Sequence, residues 1–241
     1  MTDAKSVALV TSGTFSVGAE IARHLSMAGV TVALGEAPDH TAEPGSAPPA
    51  AGTFRGRLTS PADCERVVAE VVDAHGRLDI VVCVALRRGY GTQTNLERLD
   101  TTAWDLAMAA QLSGPFYLLR AALPRMIEQG YGRVVTVLPV DGGPGTVGQG
   151  LTAVASAGLV ALTERLAREV GDSGVTVNAV SCGLMESELL PDDLQAQARG
   201  LVPAGRLGRN ADVARAVAFL CEPAADYITG QVLAADGGLR T

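Results

Sequence analysis

Lysine is almost missing from this chain. Of its 241 residues only Lys5 is one, and it precedes the first apolar run, so the interior of the fold has no ammonium group to draw on. Cysteine is sparse and scattered. Cys64, Cys83, Cys182 and Cys221 form no Cys-x-x-Cys pair, which argues against a disulfide framework or a zinc site and fits a reducing, cytoplasmic setting. His24, His40 and His75 are the only histidines; they form no ligand cluster with carboxylates or thiols, and no metal is expected. No apolar run reaches the roughly 18 residues of a membrane span, and no basic region followed by an apolar stretch suggests a signal peptide. Excess positive charge is absent as well. The formal net charge is −7, which disfavours nucleic acid and acidic membrane surfaces as partners and is also the charge of many ordinary soluble proteins.

What is present is a regular alternation of short apolar runs and helical patterns. Residues 7–10 read as a buried parallel strand. A small-residue turn over 11–17 leads to a helical pattern with Ile21, Leu25 and Ala28 on one face, and 30–34 is a second strand, giving a βαβ opening. Residues 37–52 break the rhythm with Pro38, Pro44, Pro48, Pro49, Gly45 and Gly52; no helix survives that proline density, and a surface loop is expected in its place. Ser60-Pro61-Ala62-Asp63 is a helix start, with Ser as N-cap and Pro at the first helical position. Strands are expected over 78–85, 133–138, 175–180 and 231–234. The helices between them begin after Asp100, at Thr152 and at an Asn210 cap. The pattern predicts one domain over 1–241 of α/β class: a single doubly wound, mostly parallel Rossmann-type sheet with helices on both faces.

Several segments resemble the short-chain dehydrogenase/reductase family in order along the chain: Gly132-Arg133-Val134-Val135, Val175-Thr176-Val177-Asn178-Ala179-Val180, Gly205-Arg206-Leu207-Gly208, and Tyr227-Ile228-Thr229-Gly230 followed by Asp236-Gly237-Gly238. The resemblance implies a dinucleotide at the first strand–helix turn and a catalytic Asn, Ser, Tyr and Lys. At these positions the chain has Gln111, Pro139, Thr152 and Ser156. An alcohol is not acidic enough to replace a phenol near neutral pH, and proline has no side-chain donor. In the turn, Ser12 and Ser16 replace two family glycines while Gly13 and Gly18 remain. Glu36 stands where the family often keeps an acid for the ribose, Arg57 where an aspartate reads adenine, and Cys83-Val84-Ala85-Leu86 where it has Asn-Asn-Ala-Gly. Ser187 matches the threonine at the nicotinamide end.

Three readings follow. The leading expectation is a non-catalytic subunit or partner in a homo- or hetero-oligomer of family-type subunits, with NAD(P) binding disfavoured and Ser12, Gly13, Ser16, Gly18, Glu36 and Ser187 a vestigial cofactor site. The second is a cofactor-independent isomerase, lyase or cyclase acting on a small molecule through Asp141, Arg87 or Glu186, against which Gly142, Gly143, Pro144 and Gly145 mark Asp141 as a turn residue. The third is an NAD(P)-dependent oxidoreductase with a rearranged site, for which Tyr90 is the one tyrosine near the mouth.

Overall fold

In a computed structural model the described residues are 5–12, 16–38, 49–86, 95–140, 150–186 and 191–240. The strands are β1 (Val7–Thr11), β2 (Thr31–Glu36), β3 (Gly52–Arg55), β4 (Ile80–Val84), β5 (Gly132–Pro139), β6 (Val175–Cys182) and β7 (Val232–Ala235). They form one seven-stranded sheet in the order β3-β2-β1-β4-β5-β6-β7, and every neighbouring pair is parallel. The helices are α1 (Ser16–Met27), α2 (Pro61–His75), α3 (Thr101–Met108), α4 (Gly114–Gln129), α5 (Gly150–Val170), α6 (Asp192–Gly200) and α7 (Asn210–Cys221).

Both faces of the sheet are covered, which explains why the strands read as unbroken apolar runs. Val7, Leu9, Val81, Val134 and Val177 point to the layer of α2, α4 and α5, where they meet Val67, Val71, Leu118, Leu119 and Ala167. The alternate residues Ala8, Val10, Val82, Val135 and Val180 meet Ile21 and Leu25 of α1 and Val213 and Val217 of α7. By length and composition α5 could cross a membrane, but here Leu151, Ala155, Leu159 and Ala167 are buried within the fold.

Several expected signals act as the residues suggest. The Ser60 side chain caps α2 by accepting from Asp63 N, and Asp100 caps α3 by accepting from Ala103 N. Others differ. Gly52, expected to close the proline loop, instead opens β3, a four-residue strand whose short length and alternating exposure gave no apolar run. Residues 39–48 of that loop lie outside the described residues. The cap of α7 is Arg209 rather than Asn210; the carboxylate of Asp212 accepts from Arg209 N at 2.8 Å and holds that end.

A buried carboxylate gathers the amino ends of three central strands. Asp79 is wholly buried, and its Oδ2 accepts from Val7 N at 2.8 Å. Arg77 donates to it through Nε and Nη2, each at 2.7 Å. Its backbone completes the link, N donating to Val7 O and O accepting from Arg133 N. Arg133, itself buried, donates to the carbonyls of Gly132 and Gly174. Asp79→Ala is expected to cost about 3 kcal/mol in urea unfolding, since it strands a buried N–H and a cation. Arg77→Ala, whose side chain is partly solvated, should cost about 1 kcal/mol; equal losses would count against this account. The cysteines give a second check. All of them are buried, and desolvation pushes the thiol of Cys64 up to about 11 and those of Cys83, Cys182 and Cys221 to about 12. The folded protein should therefore leave an aromatic disulfide reagent unreduced, and the unfolded chain should release all four thiols; rapid labelling before unfolding would contradict the burial.

Candidate functional site

The strand order reverses direction between β1 and β4, and at such a reversal successive connections leave on opposite faces, opening a crevice beyond the carboxyl ends. Thr11 and Val84 flank it. Ladder pairing of β1 with β4 covers Ala8, Leu9 and Val10; beyond it Val84 N donates to Thr11 Oγ1 at 2.8 Å, a side chain taking the place of a backbone rung where pairing stops. Ser12 follows with φ 52, alone among described non-glycine residues in the left-handed region, and its N–H donates to Gly35 O at 3.0 Å. The helix behind comes so close that a Cβ on Gly18 would collide with Ser12 O. No acid stands in the first turn of α1, which Ser16 begins. These residues fit a dinucleotide: the approach is made of backbone, and the helix amino end offers its N–H groups to a phosphate without a competing carboxylate. Gly13 and Ser187 lie outside the described residues.

Glu36 closes β2 with 4% exposure, and its carbonyl accepts from Gly56 N at 2.8 Å. Arg57 is fixed through its backbone, N donating to Asp63 Oδ2 at 2.7 Å; that bond, followed by one from Arg66, holds the Asp63 carboxyl below its ordinary range. The Arg57 side chain is exposed. Leu86 is half-buried and packs, like Val84 and Met185, against the α1–α7 side of the core.

The other half of the site surrounds the first turns of α5. Thr152 and Ser156 stand one turn apart on one helix face. Thr152 is half-buried; Ser156 is 2% exposed. The Ser156 hydroxyl donates to Pro139 O at 3.3 Å, so two of the positions where the resemblance implies catalytic groups bond to each other. Gln111, 5% exposed, lies in a π-helical turn over Ala109–Ser113 that separates α3 from α4. The helix expected after Asp100 is thus divided in two by a turn that its apolar pattern does not announce. Pro115 has no N–H for the Gln111 carbonyl and its ring crowds it, so the helix widens ahead of the proline; Gly114-Pro115 was the available signal. The turn is seated on α5 by Leu112, whose Cδ1 would lie 2.9 Å from a Cβ on Gly158. Ser181, one residue short of the end of β6, was also missed: its hydroxyl is buried with no hydrogen-bond partner among the described residues.

Of the non-redox candidates, Glu186 is exposed just past β6. Its N–H donates to Gly208 O at 2.8 Å, beside a parallel bridge between Met185 and Gly208. Asp141, Arg87 and Tyr90 lie outside the described residues, and no group that could hold a metal occurs among those described.

Residues 13–240 match the family model described as enoyl-(acyl carrier protein) reductase. The chain is 35% identical over 239 residues to the 3-oxoacyl-[acyl-carrier-protein] reductase FabG of Escherichia coli (strain K12), covering 97% of this chain and 96% of that protein. It is 34% identical over 244 residues to the FabG of Haemophilus influenzae, covering 97% of each, and 34% identical over 180 residues to that of Staphylococcus aureus (strain Mu50), covering 73% of this chain and 72% of the relative. Two expectations are corrected by these findings. Relatives that align nearly end to end are named as reductases, which overturns the reading as a non-catalytic subunit. They also overturn the expectation of no NAD(P), because reductases of this nicotinamide-dependent kind draw their hydride from it. The physical reason is that the close approach of Ser12 to Gly18 is made by the Ser12 carbonyl, so it does not depend on the side chain at position 12.

Gly18→Ala should lower unfolding stability by at least about 2 kcal/mol, because α1 has to back away from Ser12. Gly200→Ala, where nothing lies within 4 Å of the added methyl, should be neutral or slightly stabilising; similar thermal melts for the two variants would refute the close approach.

Proposed function

The chain belongs to the short-chain dehydrogenase/reductase family, and from that premise we propose that it is an NAD(P)-dependent oxidoreductase, working as one domain, whose proton-handling groups have been rearranged. The observation that carries this reading is the reversal of strand order between β1 and β4, where Ser12, at φ 52, lies so close to the amino end of α1 that a Cβ on Gly18 would collide with Ser12 O. The turn of Ser12, Gly13, Ser16 and Gly18 would hold the pyrophosphate, Glu36 the adenosine ribose, and Ser187 the nicotinamide end. A bound nicotinamide supplies or accepts a hydride. The chain's own residues do the rest. The buried Gln111 amide orients a polar group of the substrate or an ordered water. Ser156, by bonding to Pro139 O, fixes the exit of β5 against α5 and keeps that wall of the pocket in place.

The relatives named above act, by their names, on 3-oxoacyl groups carried by acyl carrier protein; a small organic substrate that gains or loses hydride is the corresponding class here. Exposed Leu106, Phe116 and Val154 on successive helices, and Phe219 and Leu233 on α7 and β7, support assembly of several family-type subunits. The absence of cysteine pairing supports a cytoplasmic setting.

Calorimetric titration tests the reading. NADH is expected to bind with a micromolar Kd and about tenfold more tightly than NADPH, because a carboxylate at the end of β2 accepts from a ribose hydroxyl and repels a 2′-phosphate. Glu36→Gln should shrink that preference to about twofold or less. No saturable binding of either dinucleotide would sink the proposal.

A further inference from the structure

Residues 191–206, which carry α6, have one apolar anchor. No residue of α6 is buried, and Leu194 and Leu201 are 46% and 67% exposed. Within the whole run only Val202 is buried, at 5% exposure. It sits against the turn that follows β7. A Cβ placed on Gly237 would lie 2.7 Å from Val202 Cγ1 and 3.2 Å from Ala204 Cβ, and Gly237 O accepts from Ala204 N at 3.0 Å.

That turn is shaped for the contact. Gly237 and Gly238 both take left-handed backbone, at φ 65 and φ 86, a conformation that a side chain strains. The carboxylate of Asp236, 8% exposed, holds them there. Its Oδ1 accepts from Gly238 N at 2.9 Å and its Oδ2 from Arg240 N at 3.3 Å; the first is the bond of an Asx turn. Asp236 is braced from the other side by the exit of β6, where a Cβ on Gly183 would lie 2.7 Å from Asp236 Cα. One carboxylate thus shapes a turn that rests on β6 and presents a bare Cα to Val202.

The neck of the connection is closed elsewhere. Gly208 N donates to Leu184 O and Glu186 N to Gly208 O, each at 2.8 Å, and Leu207 beside them is 1% exposed. Withdrawing Val202 from Gly237 therefore frees 191–206 without unzipping the neck or the sheet. We propose that the turn after β7 is a latch: residues 191–206 open and close as one unit on a folded body, and Asp236 and Gly237 set the balance between the two states. This goes beyond the oxidoreductase reading and does not depend on it.

Limited trypsin digestion of the full chain tests the latch. Cleavage after the exposed Arg199 is followed by intact mass under conditions where its rate tracks the open population, and thermal melts are recorded alongside. Gly237→Ala strains the closed turn and crowds Val202, so cleavage should be about tenfold faster. Gly130→Ala is the matched control, since φ there is 67 and nothing lies within 4 Å of the added methyl. It should lower the melting temperature and leave the rate at Arg199 unchanged. Val202→Ala, which removes the anchor and leaves the turn's backbone alone, should also speed cleavage about tenfold, and it carries the test if Gly237→Ala does not fold. Asp236→Asn keeps one acceptor and should speed cleavage less than Asp236→Ala does. Wild-type rates in both Gly237→Ala and Val202→Ala would overturn the latch. So would equal acceleration by Gly130→Ala, because 191–206 would then open only when the whole fold does.

Discussion

A sheet whose strands all run one way places every strand exit on a single edge, and that constraint governs the rest of this structure. Turns and loops that leave β1, β2, β4, β5 and β6 are delivered to one side, and the reversal of order between β1 and β4 opens the space they border. Parallel strands cannot be held by hairpins, so their alignment has to come from the helices and from cross-strand polar contacts. At the amino edge the wholly buried Asp79 ties β1, β4 and β5 together. At the carboxyl edge Thr11 does the corresponding job with one hydroxyl to Val84 N. Between those two points the strands are apolar on both faces and have little freedom to slip, since a one-residue slip would exchange the α1–α7 set of side chains for the α2–α4–α5 set.

The fold was legible where local chemistry and burial agree. Val7–Thr11 and Val175–Cys182 are buried at every position, and Ser60 and Asp100 cap helices by the side-chain contacts their types suggest. Legibility failed where burial is partial. β3 has no fully buried residue, and α6 has none either, so neither leaves a periodic trace. The π turn failed for another reason: one extra residue in a helix barely disturbs an apolar pattern, and only the chemistry of Pro115, a missing N–H opposite the Gln111 carbonyl, carries the signal.

The site was read from resemblance, and there the inference from residue identity to lost function went too far. Changed side chains constrain whatever chemistry side chains perform. The approach to a dinucleotide depends instead on backbone geometry, on a left-handed Ser12, a glycine at position 18 with no room for a methyl, and a helix amino end free of acids. Ser12 does not erase those features, because they are set by the backbone at Ser12 and Gly18. What the backbone provides and what the side chains provide are thus separable.

That separation bears on what kind of reaction such a pocket can serve. Hydride transfer asks chiefly for two reactants held face to face, which a rigid scaffold provides through position alone. Proton transfer asks for a group whose pKa lies near the working pH, and hydroxyls that bond inward, as Ser156 does to Pro139 O, provide only shape.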